Sequence, residues 1–383
     1  MSDIISFSIP GEIAFGIDAV LKLGDVIKQH GNKAIVITES IFYEYKIVGQ
    51  IEKLLKSFNI DFLIYDEINQ DSGSEDIANI SILARTARVD VIIGLGGQKT
   101  LNIAKAVGLF TPQEKSFYYY LKHKEELDTK IPVILLPTTL RDYFALSNSI
   151  YYKDQEIGFS KIFEHPKLFA DYVIFDPVLT ADIPKGILIL MLIEMLGFAI
   201  DSILSSRATI FTDTLLYKKN ETINKNFTRI IDFPDDLDVR KDICLCGLFL
   251  MFAGRITGFG LLQSMTLSIN SYLKVPKLSL VIPLIPHITE FLVQVAPEKF
   301  LKIANCFDLD TKAGTIIENA LKIPEYFQIL ADNYKLPSRL SDFGVVKEIL
   351  YKLADHTTNF PFYQNLPRII SKDDLYSILY ASL

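Results

Sequence analysis

Short apolar runs alternate with helically spaced apolar residues through the first 140 positions of the chain. Runs rich in valine, isoleucine and leucine predict β-strands, and apolar residues three and four positions apart predict the helices between them. The predicted strands are 33–38, 61–65, 89–93 and 132–136. The predicted helices are 48–58, 74–87 with Ser74 as its candidate N-cap, and one from about Thr100. Strands separated by helices indicate a parallel, doubly wound sheet, whose ligands bind beyond the carboxyl ends of the strands.

The pattern changes after residues 176–177. From Pro184 onward, long apolar stretches with helical spacing dominate and strand signals fade. We therefore predict an α/β nucleotide-binding domain over residues 1–180 and an all-helical domain over 181–383, with the active site in a cleft between them. The most apolar segment, 186–200, is shorter than a bilayer span and contains Glu194, so we expect a buried core helix.

A glycine turn follows the strand predicted at 89–93. Residues 94–105 read GLGGQKTLNIAK, so that a buried strand runs into a tight turn and then into a helix. This arrangement points bare backbone N–H groups and the positive end of a helix at an anion, usually a phosphate. The segment therefore predicts a nucleotide-type fold, with Gly96 and Gly97 in the phosphate turn.

Charge and cysteine content narrow the expected partners. The 383 residues carry a net charge of −7, which argues against nucleic acid as a partner because its phosphates would be repelled.

The cysteine content indicates the compartment. Three cysteines do not build a disulfide framework, so we expect a reducing cytoplasm and buried thiols at Cys244 and Cys246. Residues 1–5 lack the basic and apolar regions of a signal peptide. The expected partner is a small-molecule ligand, with neither nucleic acid nor a membrane.

Several short segments, in their order and spacing, resemble the iron-containing alcohol dehydrogenases, which are grouped with dehydroquinate synthase and glycerol dehydrogenase. The resemblance implies a Rossmann-like, mostly parallel α/β domain followed by an all-α domain, the dehydroquinate synthase-like fold. The segment at 10–16 resembles the family's opening hairpin, and 94–105 resembles its phosphate turn. The remaining segments are Thr38-Glu39, Pro137-Thr138-Thr139, the hinge at 176–184, and the C-terminal stretches 336–340 and 365–368.

The resemblance also implies a set of cofactor-binding positions. Glu39 falls where the family has a strand-end acid; it would accept hydrogen bonds from a ribose diol and favour NAD over NADP by repelling a 2′-phosphate. The alternative is a solvated helix-cap acid. Lys161 matches a family lysine near the cofactor, and its alternative is a surface salt bridge. The implied positions are Glu39, Gly96, Gly97, Gln98, Lys99, Thr138, Thr139, Arg141, Lys161 and Leu179.

The phosphate turn departs from the family's pattern at three positions. Gln98 replaces the third glycine, so a requirement for positive φ there would cost about 1 kcal/mol. Lys99 replaces a serine and is either a direct charge on a phosphate or a surface lysine on the first helical turn. Asn102 replaces an aspartate, which keeps the size of the side chain and loses its charge.

The loop after Thr139 departs further. The family has a small, glycine-rich turn there, whereas this chain reads LRDYF at 140–144. Two interpretations stay open. Arg141 binds a phosphate and the ligand specificity has changed, or Tyr143 and Phe144 fill the space that a pyrophosphate or nicotinamide would take.

The family binds one divalent ion through an aspartate and three histidines. Alignment of the surrounding motifs places the aspartate at Glu194 and the histidines at Phe198, Gln263 and Lys277. Iron and zinc sites need imidazole or thiolate ligands, so we expect neither metal. Lys277 would instead polarise a carbonyl or alkoxide, with Glu194 as its ion partner across the cleft. The alternative is a structural pair left after loss of the chemistry, and Asp201 would join the same polar cluster.

Three functions are consistent with these residues. The first is a metal-independent oxidoreductase that uses NAD or NADP, with NAD favoured by Glu39, on a small alcohol, aldehyde or sugar; Lys277, Glu194 and Gln263 are its catalytic candidates. The second is a catalytically inactive member that binds a phosphorylated metabolite or assembles with an active paralogue. The third is a sugar-phosphate cyclase-like enzyme, which would also need the family metal. The resemblance implies a homodimer or larger oligomer, or a hetero-oligomer with a paralogue.

Overall fold

The structure, a computed structural model, describes residues 11–123 and 126–383. The N-terminal segment examined for a signal peptide, and Pro10 of the opening motif, lie outside these residues. The contacts of the chain fall into two compact units that divide between Ile183 and Pro184. The predicted domain boundary was 180/181.

The first unit contains a parallel sheet, as predicted. Within the described residues, six strands pair in the order β1-β8-β5-β4-β2-β3, and every pair is parallel. A separate antiparallel hairpin is formed by β6 and β7. The strands are β1 (Glu12–Phe15), β2 (Lys33–Ile37), β3 (Asp61–Tyr65), β4 (Val91–Gly96), β5 (Val133–Pro137), β6 (Ser149–Asp154), β7 (Phe159–Glu164) and β8 (Tyr172–Phe175).

Helices cover both faces of this sheet. One face packs Val91, Ile93 and Ile134 against apolar residues of α1 and α3. The opposite face carries Gly94, where a Cβ would lie 2.7 Å from the Cβ of Ala104 on α5. Successive strand residues point to opposite faces, so the two helix layers lie on either side. The helices are α1 (Leu23–Lys28), α2 (Ile41–Glu44), α3 (Ile47–Ser57), α4 (Ser74–Ala87), α5 (Gln98–Phe110) and α6 (Phe117–His123).

One local prediction in this unit is wrong, and one element was not predicted. Ser74 is the first residue of α4 and not its N-cap, which is Gly73; the Gly73 N–H donates to Asp76 Oδ2 at 2.7 Å. The Ser74 hydroxyl instead shares a 2.6 Å hydrogen bond with the Tyr118 hydroxyl. The hairpin formed by β6 and β7 was not predicted, because tyrosine, lysine and glutamate interrupt the apolar runs by which the other strands were recognised.

The opening motif lies only partly within the described residues. Its described part forms β1, which pairs in parallel with β8 at the edge of the sheet. Residues 11–16 hold this one strand, so within the described residues the segment 10–16 does not by itself form a hairpin. Boundaries elsewhere shift by a few residues, since β4 extends to Gly96 and α5 begins at Gln98.

The second unit is helical throughout its described residues, as predicted. Its first helix, α7 (Lys185–Leu204), is long and apolar enough to cross a membrane, but 89% of its most apolar window is buried in the structure. The prediction of a buried core helix is confirmed, and so are the buried thiols of Cys244 and Cys246. The remaining helices are α8 (Ile210–Asp232), α9 (Leu237–Thr257), α10 (Leu261–Leu273), α11 (Val281–Val293), α12 (Pro297–Cys306), α13 (Ile316–Ala320), α14 (Lys322–Asn333), α15 (Leu350–Thr357) and α16 (Lys372–Ala381).

Candidate functional site

The phosphate turn joins β4 directly to α5. Gly96 has φ +155°, a conformation that side chains disfavour, and a Cβ there would lie 2.9 Å from the Cβ of Thr100. Gly97 is the N-cap, and a Cβ there would meet only Thr139 Cγ2, at 3.4 Å. Both the backbone conformation and the close approach of Thr100 therefore favour glycine at position 96. The first N–H groups of α5 have no acceptors within the helix.

Gln98 carries no backbone strain. It is the first residue of α5 and is not among the described non-glycine residues with positive φ. The cost of about 1 kcal/mol that a positive φ at Gln98 would carry does not arise, because the residue with positive φ in this turn is Gly96. The side chain of Lys99 is directed to a neighbouring loop and not to the space in front of the helix N-terminus. Its Nζ donates to the backbone carbonyl groups of Asn69, at 3.0 Å, and Gln70. Burial lowers the pKa of Lys99 to about 8, while the charge of Glu39 acts in the opposite direction.

Glu39 lies just beyond the carboxyl end of β2, at the edge where the phosphate turn also lies. Its Oε1 accepts a 2.7 Å hydrogen bond from the hydroxyl of Thr100, on the first turn of α5. Sequence reasoning did not identify Thr100 as this partner. The contact holds one carboxylate oxygen in place beside the phosphate turn, where a ribose diol would need an acceptor.

The loop after β5 is buried. Thr138 donates its N–H to Gly96 O at 3.0 Å, and the Thr139 hydroxyl donates to Arg141 O at 2.6 Å. Arg141, Tyr143 and Phe144 are each less than 5% exposed, and the Arg141 guanidinium lies 5.2 Å from the centre of the Tyr143 ring. The bulky side chains are thus packed into this unit, with the arginine stacked on an aromatic face.

Lys105, the last residue of the phosphate-turn motif, anchors this loop. Its Nζ donates to the carbonyl groups of Phe144, Ser147 and Ser149 at 2.7 to 2.8 Å. Burial lowers the pKa of Lys105, while the nearby carboxylate of Asp142 opposes that shift. Three acceptors match the three donors of an ammonium group, whereas a neutral amine has only two, so the geometry favours the charged form.

Two other implied cofactor residues have ordinary structural partners. Lys161, on β7, forms a 2.8 Å salt bridge with Asp154 on β6, and about half of its side chain is exposed. Leu179 is 2% exposed and lies in the core cluster with Leu136 and Ile174. Any contact of Leu179 with a cofactor would therefore have to come from its backbone.

In the helical unit, Glu194, Gln263 and Lys277 form one polar cluster. The Lys277 Nζ lies 3.0 Å from Glu194 Oε1, which also accepts a 3.4 Å hydrogen bond from Gln263 Nε2. Lys277 Nζ donates to Gln263 Oε1 at 3.4 Å. Glu194 is on α7, Gln263 is on α10, and Lys277 begins the short 3₁₀ helix Lys277–Leu280. The structure thus brings together the three catalytic candidates, which are far apart in the sequence.

Asp201 lies next to this cluster, at the N-terminal end of α10. Its carboxylate accepts a 3.4 Å hydrogen bond from the backbone N–H of Gln263 and lies at the N–H groups of Leu261 and Leu262, in the same first turn of α10. Burial raises the pKa of Asp201 to about 7, and these N–H groups partly oppose that shift. A Cβ on Gly260 would lie 2.4 Å from the Asp201 Cγ, so a glycine is needed for this approach. Asp201 joins the cluster only through Gln263, whose backbone and side chain link the two groups.

Phe198 occupies the position one helical turn after Glu194. It is fully buried, its ring meets Phe259 edge-on at 5.9 Å, and a Cβ on Gly254 would approach its ring to 2.6 Å. The side chain is therefore a packing element of α7 and α9, and it offers no ligand atom.

The family's divalent ion does not fit these residues. Of the four implied positions, one offers a carboxylate, one an amide, one an aromatic ring and one an ammonium group that already contacts the carboxylate. Iron and zinc require imidazole or thiolate donors, and the ammonium charge would repel a second cation. Across residues 11–123 and 126–383, no group of three or more His, Cys, Asp or Glu side chains is arranged to hold a metal ion.

Two family models match the chain. The model described as iron-containing alcohol dehydrogenase matches residues 10–177. The model described as the C-terminal part of the Fe-containing alcohol dehydrogenase family matches residues 189–383. Together they account for both units.

Individual relatives match over almost their whole lengths at low identity. A sulfoacetaldehyde reductase of Bilophila wadsworthia is 22% identical over 97% of this chain and 97% of its own. An NAD-dependent methanol dehydrogenase of Bacillus methanolicus is 22% identical over 99% of this chain and 100% of its own. The solved structure of an alcohol dehydrogenase from Oenococcus oeni superposes with a TM-score of 0.92 at 19% identity, over 99% of this chain and 100% of that one. The structural match shows the fold.

Proposed function

This chain belongs to the iron-containing alcohol dehydrogenase family, and from that premise we propose that it is an NAD(P)-dependent oxidoreductase of a small alcohol, aldehyde or sugar that works without a bound metal ion. The family assignment and the names of the relatives support an oxidoreductase, and one of those relatives is NAD-dependent by name. Metal independence rests on this chain's own residues.

The α/β unit would hold the dinucleotide. The glycine turn at Gly96 and the N–H groups at the start of α5, which have no acceptors within the helix, suit a pyrophosphate, and the Glu39 carboxylate suits a ribose diol. Because a carboxylate repels a 2′-phosphate, we expect NAD to be preferred over NADP. When bound, the nicotinamide supplies the hydride acceptor or donor.

The helical unit would supply the charge that alcohol and aldehyde chemistry needs. Oxidation of an alcohol passes through its alkoxide, which forms when the hydroxyl loses a proton and before hydride leaves the carbon. Addition of hydride to an aldehyde develops the same negative charge on oxygen. The Lys277 ammonium can stabilise that charge from a fixed position, because Glu194 and Gln263 hold its Nζ. The single observation that carries the proposal is this ammonium group, 3.0 Å from the buried Glu194. The resemblance aligns Lys277 with one of the family's metal ligands.

The inactive-member hypothesis has a specific observation in its favour. The loop after β5 is filled by Tyr143 and Phe144, and it is locked by Lys105. A dinucleotide that needs this space could not bind, and the Lys277 pair would then be structural only. The cyclase-like alternative has no such support, since that chemistry also uses the metal that these residues do not fit.

Binding and turnover separate the two functions. Purified protein is titrated with NADH and with NADPH by fluorescence, and bound metal is measured by elemental analysis. The proposal expects NADH binding, weaker NADPH binding and no stoichiometric iron or zinc. Absence of binding by either dinucleotide would favour the inactive member, and stoichiometric metal would overturn the assignment of Lys277.

Once a substrate is found among small alcohols and aldehydes, Lys277→Met tests the mechanism. Loss of a charge-stabilising donor costs on the order of 10²- to 10³-fold in kcat, and we expect a loss of that size. Lys218→Met is the matched control, because Lys218 forms an exposed pair with Glu221 at 3.0 Å and should leave kcat unchanged. A Lys277→Met enzyme with undiminished kcat would remove Lys277 from the mechanism.

A further inference from the structure

The carboxylate of Glu194 is fully buried, which makes its counter-charge necessary. None of its surface is exposed, and the side chain of Lys277 is only 13% exposed. A buried ionised carboxylate without a partner is strongly unfavourable, and removal of one member of a buried ion pair leaves the other uncompensated. The Lys277 ammonium therefore compensates a buried carboxylate whether or not the protein turns over a substrate.

Two oxygen atoms face that cation. Glu194 Oε1 and Gln263 Oε1 lie 3.0 Å and 3.4 Å from the Lys277 Nζ. The Gln263 amide is itself oriented, since its nitrogen donates to Glu194 and its backbone N–H donates to Asp201 at 3.4 Å. The 3.0 Å distance is typical of an N–H···O hydrogen bond, whereas the 3.4 Å distance is longer than usual; both exceed the ligand distances of zinc, calcium or magnesium.

We propose that Glu194 and Gln263 form a cation-binding site for a primary ammonium group, and that the resident ligand in this protein is the side chain of Lys277. In this view Glu194 and Gln263 are the binding site, and the Lys277 ammonium is a ligand that the chain itself carries. If that ligand is removed by shortening the side chain, the remaining pocket should accept a free alkylammonium ion. This inference does not rest on the proposed enzymatic function, and its tests use stability and binding.

The experiment is a chemical rescue of Lys277→Ala. The substitution removes three methylene groups and the ammonium, which is the equivalent of n-propylammonium. We expect Lys277→Ala to melt about 5–10 °C below the wild type. Added n-propylammonium chloride should restore at least half of that loss in a saturable manner, because a ligand that binds only the folded state stabilises it. Sodium chloride and tetramethylammonium chloride at equal ionic strength should not.

Matched variants keep the result interpretable. Lys218→Ala, at an exposed pair, should lose little stability and gain nothing from n-propylammonium. If Lys277→Ala does not fold, the double variant Glu194→Gln/Lys277→Ala should fold, because it has no uncompensated charge, and n-propylammonium should not stabilise it. A stable Lys277→Ala, equal stabilisation of all variants by n-propylammonium, or specific stabilisation of Lys277→Ala by zinc alone would each overturn the proposal.

Discussion

Asp201 is the residue whose titration should be easiest to observe. It is 2% exposed, and burial raises its pKa to about 7, compared with about 3.9 for an unfolded aspartate. A group whose pKa is raised by folding contributes stability below its unfolded pKa. That contribution is lost as the pH rises through its folded pKa. Asp201 should therefore make the protein less stable between about pH 4 and pH 7 as the pH increases.

The substitution Asp201→Asn should remove this dependence. The amide oxygen can still accept N–H groups from the start of α10, but the side chain no longer titrates. We expect the free energy of unfolding of the wild type to fall relative to the variant by at most about 1.4 kcal/mol per pH unit over that window. Urea denaturation at half-unit pH steps measures both curves. Parallel curves would show that Asp201 is not the titrating group.

At the level of elements, α7 and α10 determine which side chains can meet. Glu194 and Phe198 are four residues apart on α7 and therefore share a face. Gln263, in the first turn of α10, and Lys277, at the start of its 3₁₀ helix, both contact Glu194. The fold thus brings together three of the four positions that the resemblance aligns with the family's metal ligands, through contacts of their side chains.

The alignment of these positions with the family's ligands predicts that a metal site can be restored. The triple variant Phe198→His, Gln263→His, Lys277→His would place three imidazoles around Glu194. We expect it to bind about one zinc ion per chain, because one carboxylate and three imidazoles form a sufficient ligand set. Elemental analysis after dialysis and the absorption spectrum of the cobalt form measure binding, with Lys277→His alone as the control. A folded triple variant without metal would contradict the alignment of these positions.

At the level of the whole molecule, apolar side chains remain on the surface of the helical unit. Ile210, Phe233 and Ile369 are 78%, 65% and 92% exposed in the single chain. Single exposed apolar residues are normal on protein surfaces, and Ile210 and Phe233 stand at opposite ends of α8. The oligomer stays a prediction from the family resemblance, and these residues are positions at which to probe it.

Light scattering coupled to size-exclusion chromatography should therefore give a mass at least twice the 43.4 kDa of one chain. Replacement of Ile369 by Ser is a first probe of the interface, with the exposed Tyr43→Ser of the α/β unit as a control. A monomer across the micromolar range would contradict the expected homo-oligomer. It would favour the hypothesis of an obligate partner, such as an active paralogue.

Much of the architecture could be predicted from the sequence, because its signals are local. Apolar runs indicated β2, β3, β4 and β5, and helical spacing indicated α3, α4 and the buried α7. The hairpin of β6 and β7 was missed because both strands contain polar residues and lack an apolar run. Their pairing with each other, which the sequence pattern does not reveal, forms the hairpin. The residue aligned with the missing metal ligand, Lys277, was found through the family's motifs and not through any local pattern.

The amino-acid order by itself determined the fold class and the glycine turn between β4 and α5, because both depend on residue types within short segments. The loss of imidazole from the family's metal positions stays a prediction from the aligned motifs. Only the tertiary structure decided what these side chains contact. It directed Lys99 to loop carbonyl groups, Glu39 to Thr100, and Asp201 to the backbone of α10. These partners lie on elements that are distant in the sequence. Packing brings such elements together, and burial then requires that each charge find a compensating group.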